Sequence, residues 1–243
     1  MSAALLTVSG LEKRFGGFTA LTELDLQVFE GERLGLIGPN GSGKSTLVNC
    51  ICGTLRNDAG HVRFAGHALN GLSPHQRTRL GVARSFQLPR PFMTMNLVEN
   101  VLIPVLFGNQ DKAGRAMNRA RTRCLELLDL VGLSAKATRM PQDLTQIEMR
   151  KLELARAMAS EPRLLIADEV MAGLSNQEVD DILALLARLN AGGVTIIMIE
   201  HIMRAVMSFS QRLVVLVAGR KIADDEPARV IRQPDVVTAY LGS

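Results

Sequence analysis

Three stretches of this sequence carry residue types that could do chemistry together. The first is Gly38-Pro39-Asn40-Gly41-Ser42-Gly43-Lys44-Ser45-Thr46, of the form G-x-x-x-x-G-K-[ST]. An apolar run, Leu34-Gly35-Leu36-Ile37, precedes it, and the helix-compatible Leu47-Val48-Asn49-Cys50-Ile51 follows. Strand, Gly-rich loop and helix form the context that a phosphate-binding loop requires. The glycines let the backbone curl so that consecutive N–H groups face inward as an anion-binding concavity. The helix adds its unpaired N–H groups and its positive dipole end. Lys44 would reach the β- and γ-phosphates, and the Ser45 hydroxyl would ligate Mg²⁺.

The second stretch is Leu164-Leu165-Ile166-Ala167-Asp168-Glu169, an apolar run that ends in two adjacent carboxylates. Asp168 at a strand end could hold Mg²⁺ beside Ser45, and Glu169 could then orient or deprotonate the attacking water. The third is Val194 to Ile199, another apolar run, ending in Glu200-His201. His201 would contact a γ-phosphate or position water if its strand ended on the same sheet edge as Asp168. That is the edge where ligands sit in open α/β folds. His61, His67 and His75 lack such a setting and read as structural. Phe15, just before Gly16-Gly17, is a candidate to lie against an adenine ring, although a lone Phe is more often core.

The elements that must position these residues follow from periodicity. Leu6-Thr7-Val8 and Leu24 to Val28 alternate as short strands, His61 to Phe64 is another, and Ser73 to Leu80 suits a brief helix with Pro74 in its first turn. Gly81 to Gln87 reads as a strand ending in a polar residue, and Leu88-Pro89-Arg90-Pro91 breaks regular structure. Residues 94–160 look mostly helical. Asn96 to Glu99 and Thr145 to Glu148 are helix starts with capping spacing, and Pro162 closes the second of these helices. A longer helical pattern between Asp111 and Leu130 places Leu125 and Leu128 on one face and Arg115, Arg119 and Arg123 on another. That arginine row reads as a solvated face, the alternative being a docking surface for an acidic partner or anionic lipid. Val179 to Leu189 is an amphipathic helix, and Leu213 to Gly219 suggests a last hairpin. Strands alternating with helices after a phosphate loop predict a mostly parallel sheet covered on both faces.

Composition narrows the function classes. Hydrophobic residues at 47% with 21% charged mark a globular chain rather than a disordered one. With only 4% aromatic residues and no Trp, base-stacking platforms for nucleic acid are not expected. A net charge of +4 demands no acidic partner. No apolar run approaches the length of about 20 residues that spans a bilayer, and residues 1–6 lack the pattern of a secretory signal. Cys50, Cys52 and Cys124 suit neither a disulfide framework nor a zinc site, so the chain reads as cytosolic with reduced thiols.

These motifs, in this order, resemble the nucleotide-binding subunits of ATP-binding cassette (ABC) transporters over almost the whole chain. More narrowly they are similar to the ATPases of branched-chain amino-acid importers. The narrower likeness rests on Arg14-Phe15-Gly16-Gly17, Met95 to Asn100, Ala172-Gly173-Leu174, Ile199-Glu200-His201 and Ala239 to Gly242. The resemblance implies a P-loop NTPase of class α/β, a RecA-like lobe with an antiparallel β part (1–87 and 161–243) and an inserted helical subdomain (88–160). It implies ATP and Mg²⁺ as ligands, Phe15 stacked on adenine, and Gln87 linking Mg²⁺ and γ-phosphate to the helical lobe. It also implies two cassettes sandwiching two ATP molecules beneath a permease pair, with a solute-binding protein acting indirectly. The expected location is then the cytoplasmic face of the inner membrane, peripherally, with no nucleic-acid partner. An importer of another small polar solute, such as urea or an amide, and a regulatory ATP-binding subunit that barely hydrolyses are the alternatives.

One segment departs from the family pattern. Where the family has a Leu-Ser-Gly-Gly-Gln-like signature, this chain has Leu144-Thr145-Gln146-Ile147-Glu148, with both glycines replaced. Ile147 brings a β-branched side chain to a place of close backbone approach, and Glu148 adds negative charge unless it folds back in a capping box. Val170 stands where Pro is usual, and Ser175 where Asn or Asp is commoner. Each ATP in the family is shared between one phosphate loop and the other subunit's signature. A heterodimer with one complete and one impaired site is therefore the expectation, with hydrolysis mainly at this chain's own phosphate loop.

Overall fold

The structure is a computed structural model describing residues 3–85, 90–107 and 117–241. Two sheets organise it. Strands β1 (Ala4–Phe15), β2 (Phe18–Phe29), β4 (Ala59–Phe64) and β5 (His67–Ala68) form an antiparallel sheet in the order β2-β1-β4-β5. The second sheet runs β10-β9-β3-β8-β7-β6, from β3 (Arg33–Ile37), β6 (Val82–Ser85), β7 (Leu164–Asp168), β8 (Thr195–Ile199), β9 (Arg212–Val217) and β10 (Arg220–Asp225). All its neighbours pair in parallel except the β9–β10 hairpin.

Apolar runs without alternation become strands buried on both faces, and β7 and β8 are buried at every residue. Leu164 and Ile166 of β7 face a core built with β1, β2 and helix α1 (Lys44–Cys52). Leu165 and Ala167 face a second core on the opposite side. There α5 (Gln146–Met158), α6 (Asn176–Ala191) and α7 (Met203–Phe209) pack, together with α3 (Leu97–Phe107) and α4 (Met117–Leu130). Helix α2 (Pro74–Arg79) sends Arg77 to the C-terminal end of α1, where its guanidinium donates to the carbonyls of Cys50 and Ile51. That bond set fixes α1 and so the loop that precedes it.

Local signals fared well where side chains bond their own backbone. Asn96 and Glu99 exchange bonds, Glu99 N to Asn96 Oδ1 at 2.9 Å and Asn96 N to Glu99 Oε2 at 2.8 Å. Ser175 caps α6 through Glu178 N, which explains a serine there. One expectation changes. Leu125 is 49% exposed, because α4 buries Ala120, Cys124, Leu127 and Leu128, and Leu125 lies about 100° round the helix from Cys124. His61, His67 and His75 are exposed surface residues. Within the arginine row, Arg119 is exposed and Arg123 pairs with Glu126, while Arg115 lies outside the described residues. The terminal helices α8 (Pro227–Val230) and α9 (Pro234–Leu241) had no sequence expectation. The three cysteines are free, and burial pushes the Cys50 and Cys124 thiols up to about 11.

Candidate active site

The parallel register brings the three chemical stretches to one sheet edge. Strand β3 lies beside β8, and β8 beside β7, with Asp168 opposite Ile199. The loop after Ile37, the pair Asp168-Glu169 and the pair Glu200-His201 therefore leave neighbouring strands at their C-terminal ends. A cleft of about 240 Å³ opens there, lined by Asn40 to Thr46, Glu169, His201, Phe15, Phe18 and Ala20.

The loop is shaped by close approach. A Cβ on Gly38 would stand 2.1 Å from the Leu216 carbonyl oxygen, and one on Gly43 would stand 2.7 Å from that of Ala20. Gly43, with φ +102°, is also the N-cap of α1, so no side chain caps this helix and its first turn holds no acidic residue. The first-turn N–H groups thus have no acidic or capping side chain of their own helix, a setting that fits a phosphate chain. Lys44 is buried, and its ammonium donates to Gly38 O at 2.7 Å, Pro39 O at 3.0 Å and Ser42 Oγ at 3.4 Å. Desolvation lowers its pKa, opposed by the charges of Glu169 and Asp168.

Glu169 takes φ +50°, a left-handed conformation, and its carboxylate lies 3.2 Å from His201 Nε2. Asp168 is buried at the end of β7, where Arg84 of β6 bonds it through Oδ2 and reaches Asn49 on α1 at 2.7 Å. Arg84 thus ties the carboxylate to the helix that carries Ser45 one turn earlier. Among the described residues no group of three or more His, Cys, Asp or Glu is arranged to hold a metal ion. Ser45 lines the cleft, whereas Asp168, bonded to Arg84, is not among its lining residues. A hydroxyl and a carboxylate are the oxygen donors that suit Mg²⁺, which binds through one or two protein ligands plus substrate phosphates. Gln87 lies outside the described residues.

Phe15 is half exposed at the cleft mouth with Lys13 Nζ 5.5 Å from its ring centroid, and Phe18 beside it is 63% exposed. Phe18, Arg84, Asn49 and Glu200 were not singled out by sequence reasoning. Two phenylalanines bracketing Gly16-Gly17 were the available signal for Phe18; Arg84 and Asn49 carried none.

The altered segment is ordered by its own helix. Thr145 caps α5, with Glu148 N donating to Thr145 Oγ1 at 3.4 Å and Thr145 N donating to Glu148 Oε2 at 3.0 Å. Lys136 pairs with the same carboxylate at 2.7 Å. The Glu148 carboxylate is folded back and compensated, so its charge weighs less against a phosphate than the sequence suggests. Ile147 is half-buried against the core, while Gln146 is exposed.

Glu200 stands apart among the acids, because it is 3% exposed with its carboxylate accepting from Met171 N at 2.9 Å. Burial pushes its pKa up to about 7, with the Glu169 charge adding to the rise. A raised folded-state pKa contributes stability that is complete below the unfolded value near 4.5 and lost as pH rises through about 7. Glu200→Gln is therefore expected to flatten the fall in stability between about pH 4.5 and 7, by on the order of 3 kcal/mol. Urea unfolding at four pH values measures this, and parallel curves for the two proteins would refute it.

Comparisons with known proteins agree with this geometry. The family described as "ABC transporter" matches residues 21–172. The high-affinity branched-chain amino acid transport ATP-binding protein BraF of Pseudomonas aeruginosa is 40% identical, over 100% of this chain and 99% of its own. LivG of Escherichia coli, with the same descriptive name, is 38% identical over the same shares. Among solved structures, MJ1267, an ATP-binding cassette of an ABC transporter, superposes with a TM-score of 0.90 at 30% identity, covering 99% of this chain and 100% of its own. The dimeric post-hydrolysis cassette MJ0796, bound to ADP and Pi, superposes at 0.81 with 26% identity, covering 91% and 98%. The chain belongs to the ABC transporter family.

Proposed function

We propose that this chain is the ATP-binding and ATP-hydrolysing subunit of an ABC importer that takes up branched-chain or related amino acids. One observation carries the catalytic half: the phosphate loop, Glu169 and His201 line a single cleft. Lys44 and the N–H groups from Gly41 to Thr46 hold the phosphates, and Gly38 and Pro39 form the base of the loop. Phe15, with Phe18 beside it, lies against the adenine. Glu169 takes the proton of the attacking water, and His201 holds that carboxylate and meets the γ-phosphate. Ser45 and Asp168, with Gln87, would hold Mg²⁺, which would supply charge neutralisation at the phosphates. RecA-like residues 1–87 and 161–243 carry this machinery, and residues 88–160 form the helical subdomain that meets the permeases.

The names of BraF and LivG support the solute class. No helix among the described residues is long and apolar enough to cross a membrane. In this reading the chain is a peripheral subunit on the cytoplasmic face beneath two permeases, as the family to which it belongs suggests. A solute-binding protein acts through the permeases. A second, different cassette is the favoured partner, because Ile147 and Gln146 replace glycines where the opposite phosphate loop approaches.

Reconstitution tests this reading. In vesicles holding both permeases, this chain and its companion cassette, ATP hydrolysis should rise several-fold with leucine-loaded binding protein, and leucine should accumulate. Hydrolysis stimulated by urea or an amide but not by leucine would overturn the solute class. Full transport with this chain as the only cassette would overturn the heterodimer.

A further inference from the structure

We propose that Glu200 is a positioning residue for the segment that carries Glu169, with Gln146 and Arg150 holding the same segment from the opposite side. The proposal rests on reading Glu169 as the general base. Glu169 is a non-glycine residue at φ +50°, a conformation that persists only when its surroundings over-determine it. Its own N–H donates to Ile199 O at 2.9 Å, at the end of β8. Two residues on, Met171 N donates to Glu200 Oε1 at 2.9 Å, from the residue that precedes His201. One residue further, the Ala172 carbonyl accepts from Gln146 Nε2 at 3.2 Å and from an Arg150 guanidinium nitrogen at 3.3 Å, both on α5. Val170 and Met171 bury their side chains between these anchors.

Four consecutive residues are thus held at three polar points by two elements. The base at Glu169 and the histidine at His201 share a frame because Glu200 belongs to the strand end that bears His201 and bonds the loop that bears Glu169. The frame extends into the altered segment through Gln146, so an exposed residue of α5 touches the segment that follows the base. A Cβ on Gly173 would stand 2.6 Å from Gln146 Nε2, so the amide seats directly on this turn.

The demand on residue 200 is an acceptor at one position rather than a charge, since a second carboxylate beside Glu169 is electrostatically unfavourable. Gln keeps that acceptor in place, Asp withdraws it by one methylene, and Ala removes it. In the assembled transporter, Glu200→Ala should lower kcat roughly 30-fold with KM for ATP within about twofold, the signature of a misplaced base. Glu200→Asp should fall with it, and Glu200→Gln should stay within about threefold of the parent. Gln146→Ala should lower kcat by roughly threefold in the same direction. Amide hydrogen exchange over residues 169–174 of the full chain should rise in Glu200→Ala and Glu200→Asp and stay unchanged in Glu200→Gln.

Unchanged exchange and kcat in Glu200→Ala would overturn the proposal, as would Glu200→Gln falling as far as Glu200→Ala. Should Glu200→Ala not fold, Asp against Gln decides between an acceptor and a charge. Glu169→Gln serves as the control. If it retains turnover, the assignment of the base fails, while the exchange data still judge the anchoring of the segment.

Discussion

Glu169→Gln should lower ATP turnover of the assembled transporter by about 10²- to 10⁴-fold, the usual contribution of a positioned general base. The amide is isosteric and keeps a contact with His201, which lies 3.2 Å from the carboxylate, but it cannot accept a proton from water at neutral pH. Glutamine meets the same cost as glutamate at φ +50°, so folding should be little affected. Nucleotide affinity should hold, because Lys44 and the loop N–H groups are untouched. The size of the residual separates two arrangements. If this chain's phosphate loop carries most hydrolysis, as the glycine-free segment Thr145–Glu148 implies for the opposite site, the residual is small. If both composite sites work equally, turnover should only halve, and the asymmetry is wrong. Phosphate release under saturating ATP reads the difference directly.

How far the sequence exposed this site depends on whether a role is local. Gly38 to Thr46 is legible because the motif is nine adjacent residues, and Gly41 and Gly43 take φ of +78° and +102°, a demand of the local backbone. Asp168 and His201 are legible because fully buried parallel strands read as unbroken apolar runs, and the polar residues that follow each run mark the sheet edge. Arg84 is different. Its partner Asp168 is 84 residues away, and only the placement of β6 beside β7 makes them neighbours. Glu200 likewise looks like one more strand-end acid until the turn after Glu169 is seen to close over it. The first two strands run longer than their period-two stretches indicate, because β1 and β2 pair with register shifts at Val8/Leu11 and beyond, which break the period of two. Glu148 shows the reverse case: its spacing from Thr145 revealed the capping box, but the pairing with Lys136 came from the fold.

Lys44→Met should reduce ATP affinity by roughly 10²-fold while leaving folding stability nearly unchanged, a pairing that marks a residue kept for binding. Charge-assisted bonds to phosphate oxygens are each worth about 1.5–3 kcal/mol, and methionine offers none of them. The stability side follows from opposing terms. Losing the ammonium removes donors to Gly38 O, Pro39 O and Ser42 Oγ, and each orphaned carbonyl costs about 1 kcal/mol where water cannot replace the bond. Against this, Lys44 is 7% exposed, and desolvation lowers its pKa, so the charged form is disfavoured by folding. For a base with a depressed folded-state pKa, that penalty is fully present below the folded value and disappears as pH rises past 10.5. At pH 7 the substitution therefore removes a cost as well as a set of bonds, and an apolar chain of similar length fills the same space. Fluorescent-nucleotide titration and urea unfolding of the same protein measure the two halves. A stability loss above about 3 kcal/mol would show that Lys44 is needed to hold the loop itself, and the weakened binding would then be a consequence of a disordered loop rather than of a missing charge.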